Sequence, residues 1–391
     1  MFEGINDIVL STVVFLVGGM SAVLLGRWLK LSVGLVAFLV LWHAMFAIYY
    51  AYFILQSGGD AFGYYQRARF DYIDLDFGTE FVIWLTSFPA SLGFSFGAVS
   101  LVYNAIGTIG LVFFYGTVRE MGVFEQDSRT LRLIALLCLL IPSMSFWSGG
   151  IGKDSIAYLA VCVFLWATMD IGRRQPAAIL AVLAMLGVRP HIAALMVLTV
   201  AAGTVLLAEV RGTIRFSAAA VATAGAVFAV PLALSYTKST QFSSLAEYIA
   251  DRQELNMEGG SSIDITGMNP VMRLLSFLYR PLPNEASGFD QLASSIDNLF
   301  LMALTLLGLI GMYRAGFVRV FRRYSIALLY GLASLVLLSQ VTANLGLATR
   351  QKWMFVPALI LAALGAWTMV KDARAKMPPY PRYLRSSQAA R

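Results

Sequence analysis

The stretch Phe146-Trp147-Ser148-Gly149-Gly150-Ile151-Gly152-Lys153-Asp154-Ser155 places three glycines, a lysine and an aspartate between two apolar runs. Glycines in such a density make a tight turn, and apolar runs on both sides place that turn at a membrane surface. The rest of the chain agrees with this reading. Of 391 residues, 59% are hydrophobic and 13% charged, and apolar runs of about 17 to 25 residues recur along it, the length that crosses a bilayer as a helix. The sequence predicts an all-α, polytopic integral membrane helical bundle of about eleven spans.

The expected spans are 8–25, 31–55, 96–115, 133–147, 156–169, 177–188, 192–208, 216–236, 299–313, 326–341 and 353–370. Residues 81–94 are apolar but short and contain Pro89, which suits an interfacial or re-entrant segment. The division is a single transmembrane domain, 1–370, with outer loops at 56–95 and 237–290, and a basic cytoplasmic tail, 371–391. Cys138 and Cys162 both fall inside apolar runs and read as small buried side chains rather than a disulfide framework. The first residues, Met-Phe-Glu-Gly-Ile-Asn-Asp, lack the basic region of a signal peptide, so the first apolar run is expected to remain as a helix.

Orientation follows from the distribution of Lys and Arg among alternate loops. Arg27, Lys30, Arg119, Arg129, Arg132, Arg173, Arg174, Arg211, Arg215, Arg314, Arg319, Arg322, Arg323 and the basic tail fall on one side, and most carboxylates on the other. The expected topology has the N-terminus outside and the C-terminus cytoplasmic. The net charge of +7 is a product of this topology and implies no nucleic-acid partner.

Basic residues on the outer side are not needed for topology, and four of them stand at or near helix ends: Lys153, Arg189, Arg280 and Arg350. Their convergence would suit an anionic ligand anchored in lipid, such as a phosphate or pyrophosphate. The turn at 148–155 is not a P-loop: Trp147 stands where that motif needs its first glycine, and Asp154 where it needs Ser or Thr. Its glycines would let the backbone approach a ligand closely, while Asp154 or Ser155 would cap the next helix; alternatively, Lys153 and Asp154 cap helix ends and pair with each other.

Gly187-Val188-Arg189-Pro190-His191 separates two short apolar segments, which predicts a hairpin whose tip faces a cavity. His43, in mid-span, reads as a satisfied interhelical residue. In the long loop, Phe242, Leu245, Tyr248, Ile249 and Leu255 form one apolar face and Val271, Leu274, Leu275 and Leu278 another, predicting two amphipathic helices on the outer surface. Arg273 and Arg280, seven residues apart, would share one face of the second helix, with Arg273 at lipid headgroups. Asp60, after Gly58-Gly59, has the position of a general base above the membrane or of a turn residue. The Asp74-Leu75-Asp76 pair reads as solvated loop, and no His/Cys cluster suggests a metal; no cofactor is expected.

A polytopic chain carrying Phe146-Trp147-Ser148-Gly149-Gly150-Ile151-Gly152-Lys153-Asp154, then Val188-Arg189-Pro190-His191, then Tyr279-Arg280-Pro281-Leu282-Pro283-Asn284-Glu285 resembles bacterial exopolysaccharide and O-antigen polymerase-like membrane proteins (Wzy-like or EpsG-like). The resemblance implies a GT-C-like helical glycosyltransferase of the bacterial cytoplasmic (inner) membrane. Its ligands would be polyprenyl-pyrophosphate-linked oligosaccharides, with membrane lipids and proteins of polysaccharide assembly as partners. Lys153, Arg189 and Arg280, with Asp154 and Arg350 beside them, would hold the pyrophosphate; Asp60, or His191 or Glu285, would take the proton from the acceptor hydroxyl. The outer loop is short for that group, which leaves the acceptor open. A ligase or single-sugar transferase on the same carrier, and a lipid-linked glycan flippase or transporter, are the alternatives; nearly charge-free span centres favour an enzyme over a transporter.

Overall fold

The structure, a computed structural model, describes residues 4–375 apart from 72, 204–211, 238–240, 243, 258–260, 266 and 287. Arg211, Lys238 and the basic tail beyond 375 therefore lie outside the described residues. In order, the chain forms α1 (Ile5–Trp28), α2 (Val33–Ser57), α3 (Asp60–Phe70), α4 (Thr79–Ser91), α5 (Phe96–Glu120), α6 (Arg129–Leu139), α7 (Pro142–Ser148), α8 (Lys153–Met169) and α9 (Ile171–Val188). There follow α10 (Pro190–Ala202), α11 (Gly212–Thr237), α12 (Leu245–Asn256), α13 (Pro270–Tyr279), α14 (Phe289–Ala315), α15 (Phe317–Arg323), α16 (Ser325–Val341), α17 (Leu345–Gln351) and α18 (Val356–Ala375). No strand occurs among the described residues; Ser262 and Asn344 form one isolated bridge.

Seven of these helical stretches are long and apolar enough to cross a membrane, and eight if α15 and α16, bent by 94° at their junction, count as one span. The expected number was about eleven, and the difference lies in the short helices. Helix α8 has 17 residues, a rise of about 26 Å, and α10 only 13. Helix α8 is nevertheless a central element: most of it is buried, and it packs on α5 and α9. By contrast α1 leaves Ile8, Val9, Val13, Leu16, Val17 and Met20 exposed, a surface that suits lipid and not water.

Proline and glycine set the breaks. Pro142 opens α7 about two turns before the glycine turn, so the expected 133–147 span is made of two helices, α6 and α7. Pro190 opens α10, and Arg189 before it is driven out of helical geometry (φ −148°, ψ 79°). This is the broken pair expected at Val188-Arg189-Pro190. Gly58, with φ 79°, ends α2, and α3 starts two residues later at Asp60. The expected outer loop 56–95 is thus largely helical: α3 and α4 form a hairpin in which Arg67 donates two hydrogen bonds to Glu80 at 3.0 and 2.8 Å.

Beneath the glycine turn lies a buried polar hub. His43 on α2 bonds Asn104 at 2.7 Å and Thr108 at 3.1 Å through Nδ1, and Ser148 at 2.9 Å through Nε2. The expectation of a satisfied interhelical histidine is met. Gly107 on α5 leaves room for both His43 and the Ser148 carbonyl, either of which a Cβ would strike.

The two ends of the bundle differ. At one end Arg174 donates to both oxygens of Glu120, at 2.9 and 3.1 Å, and lies 4.0 Å over the ring of Trp166. Arg119 donates to the Leu29 carbonyl, and Gln126 to Asp372, at this same end. Helices α5 and α9 run from there to the other end, where α3, the glycine turn, Arg189 and α17 meet.

Both amphipathic helices of the 237–290 loop are present, each capped by a side chain: Ser244 accepts from Glu247 N and Asn269 from Met272 N. Helix α13 is not confined to the surface. Ser276, Phe277 and Leu278 are buried, and Phe277 stacks on Phe355 with centroids 6.0 Å apart. Arg273, expected at lipid headgroups, instead donates to the carbonyls of Ile265 and Met268 at 3.1 Å. Arg280 lies beyond the helix in extended geometry (φ −95°, ψ 153°), so the expected shared helical face with Arg273 does not exist.

Candidate functional site

Six of the eight residues singled out in the sequence come together at one end of the bundle: Asp60, Lys153, Asp154, Arg189, His191 and Arg350. Asp154, in the first turn of α8, is only 8% exposed and stands between two guanidinium groups. Arg189 Nη2 donates to its Oδ1 at 3.0 Å, and Arg350 Nε donates to its Oδ2. Arg350, in the last turn of α17, also reaches Asp60 Oδ2 through Nη1 at 3.4 Å. Lys153 stands within electrostatic range of Arg189, Arg350, Asp154 and Asp60. The carboxylate of Asp154 goes to the two arginines and not to its neighbour Lys153.

Exposure grades across the cluster. The side chains of Arg189 and Arg350 are 12% and 16% exposed, whereas Asp60 is 62% exposed. The cluster therefore has a buried floor and an open lip, and with three cations against two carboxylates it carries one net positive charge. Two polar atoms of this region, Arg189 Nε and His191 Nδ1, are buried with no hydrogen-bond partner among the described residues. His191, two residues from Arg189, lies parallel to Tyr236 with ring centroids 6.4 Å apart. On α3, Tyr64 faces the same cluster; burial and then the Asp60 carboxylate raise its phenol above the ordinary value.

The glycines of the turn have a different role from the one expected. The space a Cβ would fill at Gly150 holds the ring of Tyr50, and at Gly149 it holds Ala47 and the Ser145 carbonyl. These two glycines let α2 approach the turn. Gly152 alone faces the charged cluster, with Arg350 Nη2 3.8 Å from its Cβ position.

Arg280 and Glu285 form a second, separate pair. Glu285 Oε1 accepts from Arg280 Nε at 2.7 Å, and its Oε2 accepts from Leu282 N at 2.8 Å. The Arg280 guanidinium holds the Glu285 carboxyl below its usual value. Both oxygens are committed, so Glu285 fastens the loop at Arg280.

Beside the two charged groups is a cavity of about 440 Å³, lined by the aromatic side chains Phe46, Tyr49, Phe53, Phe146 and Trp147 and by polar residues that include Ser261, Ser262, Glu285, Gln291, Ser294 and Thr349. Trp147 belongs to both regions: it lines the cavity, and its ring centroid lies 6.0 Å from the Arg350 guanidinium carbon. A second cavity, of about 380 Å³, lies along α9 against α8, α10 and α11. Its walls are almost wholly apolar, among them Phe164, Ile179, Val182, Leu186 and Phe228. Leu186 is one turn before Arg189, so this slot ends beneath the charged cluster.

Sequence reasoning missed the buried polar groups that hold the segment on either side of Arg280 and the start of α7. Lys352, fully buried, donates to Asn298 Oδ1 at 2.6 Å and to the Leu278 carbonyl at 3.1 Å. Asn298 in turn donates to the Pro281 carbonyl at 2.9 Å. Asp297 accepts from Ser143 N at 2.8 Å, capping α7, whose Ile141 has no capping side chain. A signal existed: Lys352 opens an apolar run, and Asp297-Asn298 precede one. Among the described residues no three His, Cys, Asp or Glu stand close enough to share a metal ion. No protein-family model, curated protein or solved structure matches the chain.

Proposed function

We propose that this chain is a membrane glycosyltransferase that polymerises polyprenyl-pyrophosphate-linked oligosaccharide repeat units, with undecaprenyl as the lipid, for a surface polysaccharide. The observation that carries the reading is the juxtaposition of Lys153, Arg189 and Arg350 with the exposed carboxylate of Asp60, at one end of an apolar helical bundle. The apolar slot along α9 supports it, because a prenyl chain lying there would bring its head group to Arg189. On this reading the fold is GT-C-like and sits in the cytoplasmic (inner) membrane. The charged cluster faces outward, the N-terminus is outside and the C-terminus is cytoplasmic.

The chemistry is a displacement at the anomeric carbon of the donor. Asp60 takes the proton of the acceptor hydroxyl, whose oxygen forms the new bond to that carbon. The bond from carbon to the phosphate oxygen breaks, and its electron pair leaves on the pyrophosphate. Arg189, Arg350 and Lys153 meet that growing charge from positions fixed in advance by Asp154. His191, the alternative base, stands beside Arg189 with its Nδ1 buried and stacks on Tyr236, which places it less openly to an acceptor than Asp60. Glu285 is committed to Arg280, which favours Asp60 as the base.

The test is mass spectrometry of lipid-linked oligosaccharides in a deletion strain complemented with wild type, Arg189→Ala or Asp60→Asn. Single repeat units should accumulate on the lipid carrier, with loss of long polymer, in the deletion and with both variants. Full-length lipid-linked polymer left unattached would point to a ligase instead, and an unchanged lipid-linked pool would overturn the enzyme reading.

A further inference from the structure

The two cavities differ in chemistry as well as position. The slot along α9 has almost no polar wall, so a hydrocarbon chain in it would desolvate nothing. The cavity between α2, α7, α14 and α17 is mixed: aromatic and other apolar groups make most of its lining, and Ser261, Ser262, Gln291, Ser294, Thr349 and Glu285 add polar groups that the slot lacks. A ligand that fits it well offers an apolar face to the aromatic rings and hydroxyl groups to the polar side chains. A pyranose ring does both. Its axial C–H bonds meet the electron-rich faces of aromatic side chains, and its rim of hydroxyls exchanges hydrogen bonds with Ser, Thr and Gln. The volume, about 440 Å³, lies in the range of small-molecule sites, about 300 to 1,000 Å³.

Trp147 fixes where such a ring would lie. The Trp147 ring borders both the cavity and the Arg350 guanidinium. In a glycosyl pyrophosphate the sugar is bonded directly to the phosphate, so the two subsites must adjoin, and Trp147 marks where they meet.

We propose that this cavity is a saccharide subsite, with Tyr49, Phe53 and Trp147 as its platform and Ser261, Gln291 and Thr349 as its hydroxyl-reading side. It holds a sugar ring of the lipid-linked glycan next to the pyrophosphate cluster. The assignment rests on the pyrophosphate reading given above. Ser294, on α14, borders the cavity without belonging to the charged cluster, and a larger side chain there fills the space.

The experiment uses the full chain in lipid nanodiscs with defined probes: farnesyl pyrophosphate, and farnesyl pyrophosphate bearing glucose, galactose or N-acetylglucosamine. In wild type at least one glycosylated probe should bind about tenfold more tightly than the bare one, the scale of an aromatic stack plus one or two hydrogen bonds. Ser294→Phe should abolish that advantage and leave the bare probe within about twofold of wild type. Tyr49→Ala, which removes a partly exposed ring, should reduce the advantage in the same direction and serves if the Phe variant does not fold. An advantage that survives both substitutions, or that no sugar shows in wild type, overturns the saccharide subsite while leaving the pyrophosphate reading intact. Equal losses for bare and glycosylated probes would also overturn it, showing that the prenyl chain occupies this cavity. Failure of wild type to bind any of the probes would overturn the pyrophosphate reading itself, and the subsite with it.

Discussion

Asp154 is the residue on which the charged cluster depends. It neutralises part of two guanidinium groups that would otherwise repel each other in a site with little access to water. Asp154→Asn should destabilise the protein by about 3 kcal/mol, the scale on which an uncompensated buried charge acts, read as a lowered unfolding midpoint in detergent. Inorganic pyrophosphate should then raise the midpoint of the variant more than that of wild type, because it replaces the missing anion; an equal shift in both would sink this account. Asp60→Asn should behave in the opposite way, with little change in midpoint, since its carboxylate is 62% exposed and 3.4 Å from Arg350, but with loss of polymer. At this scale the sequence was informative where charge stood out of place: Lys153, Arg189, Arg350 and Asp60 are conspicuous in an apolar chain. It was silent on pairing. Asp154 meets partners 35 and 196 residues away, and no local pattern reveals a pairing across that separation.

Among the elements, the segment from α13 to Glu285 is held by a buried amine. Burial lowers Lys352 to about 7, against a smaller opposing pull from Asp297. Between about pH 7 and the ordinary lysine value of 10.5, the unfolded chain carries a proton that the folded chain does not. Stability therefore rises with pH through that window, and below it the cost of a buried ammonium is fully present. Lys352→Met should flatten the rise in unfolding midpoint between pH 7 and pH 10; parallel curves for variant and wild type would contradict it. The same substitution should raise hydrogen exchange at 276–285 and spare α8, because Lys352 binds Leu278 directly and Pro281 through Asn298. A uniform rise would mean a general loss of stability instead.

The sequence indicated the α9/α10 break and both loop helices because proline, capping residues and apolar spacing act locally. It did not indicate that α13 docks into the bundle. Amphipathic spacing tells which face is apolar, not whether lipid or protein covers it, and here Phe355 covers part of it.

For the whole molecule, the helical membrane class followed from composition alone, whereas the number of spans did not. Hydropathy does not distinguish a helix that crosses from a short one buried among others, such as α8 and α10. The proposed orientation can be checked without activity. Cys138 and Cys162 are buried, so they contribute little background to thiol labelling of intact cells. A cysteine introduced at Ser262 should react with a membrane-impermeant maleimide, and one at Lys371 only after permeabilisation. The reverse pattern would place the charged cluster on the cytoplasmic face and remove the basis for an outward-facing transferase.

The hub formed by His43, Asn104, Thr108 and Ser148 fastens the glycine turn to α2 and α5 from below. Lys153 and Asp154 thus start from a seat already set, and ligand capture spends little entropy on ordering the backbone that carries them. The rate of capture would then be governed by two-dimensional diffusion of the carrier lipid to the lip of the site. Thickening the bilayer or raising its viscosity should slow turnover more than cooling-induced stiffening of the protein does.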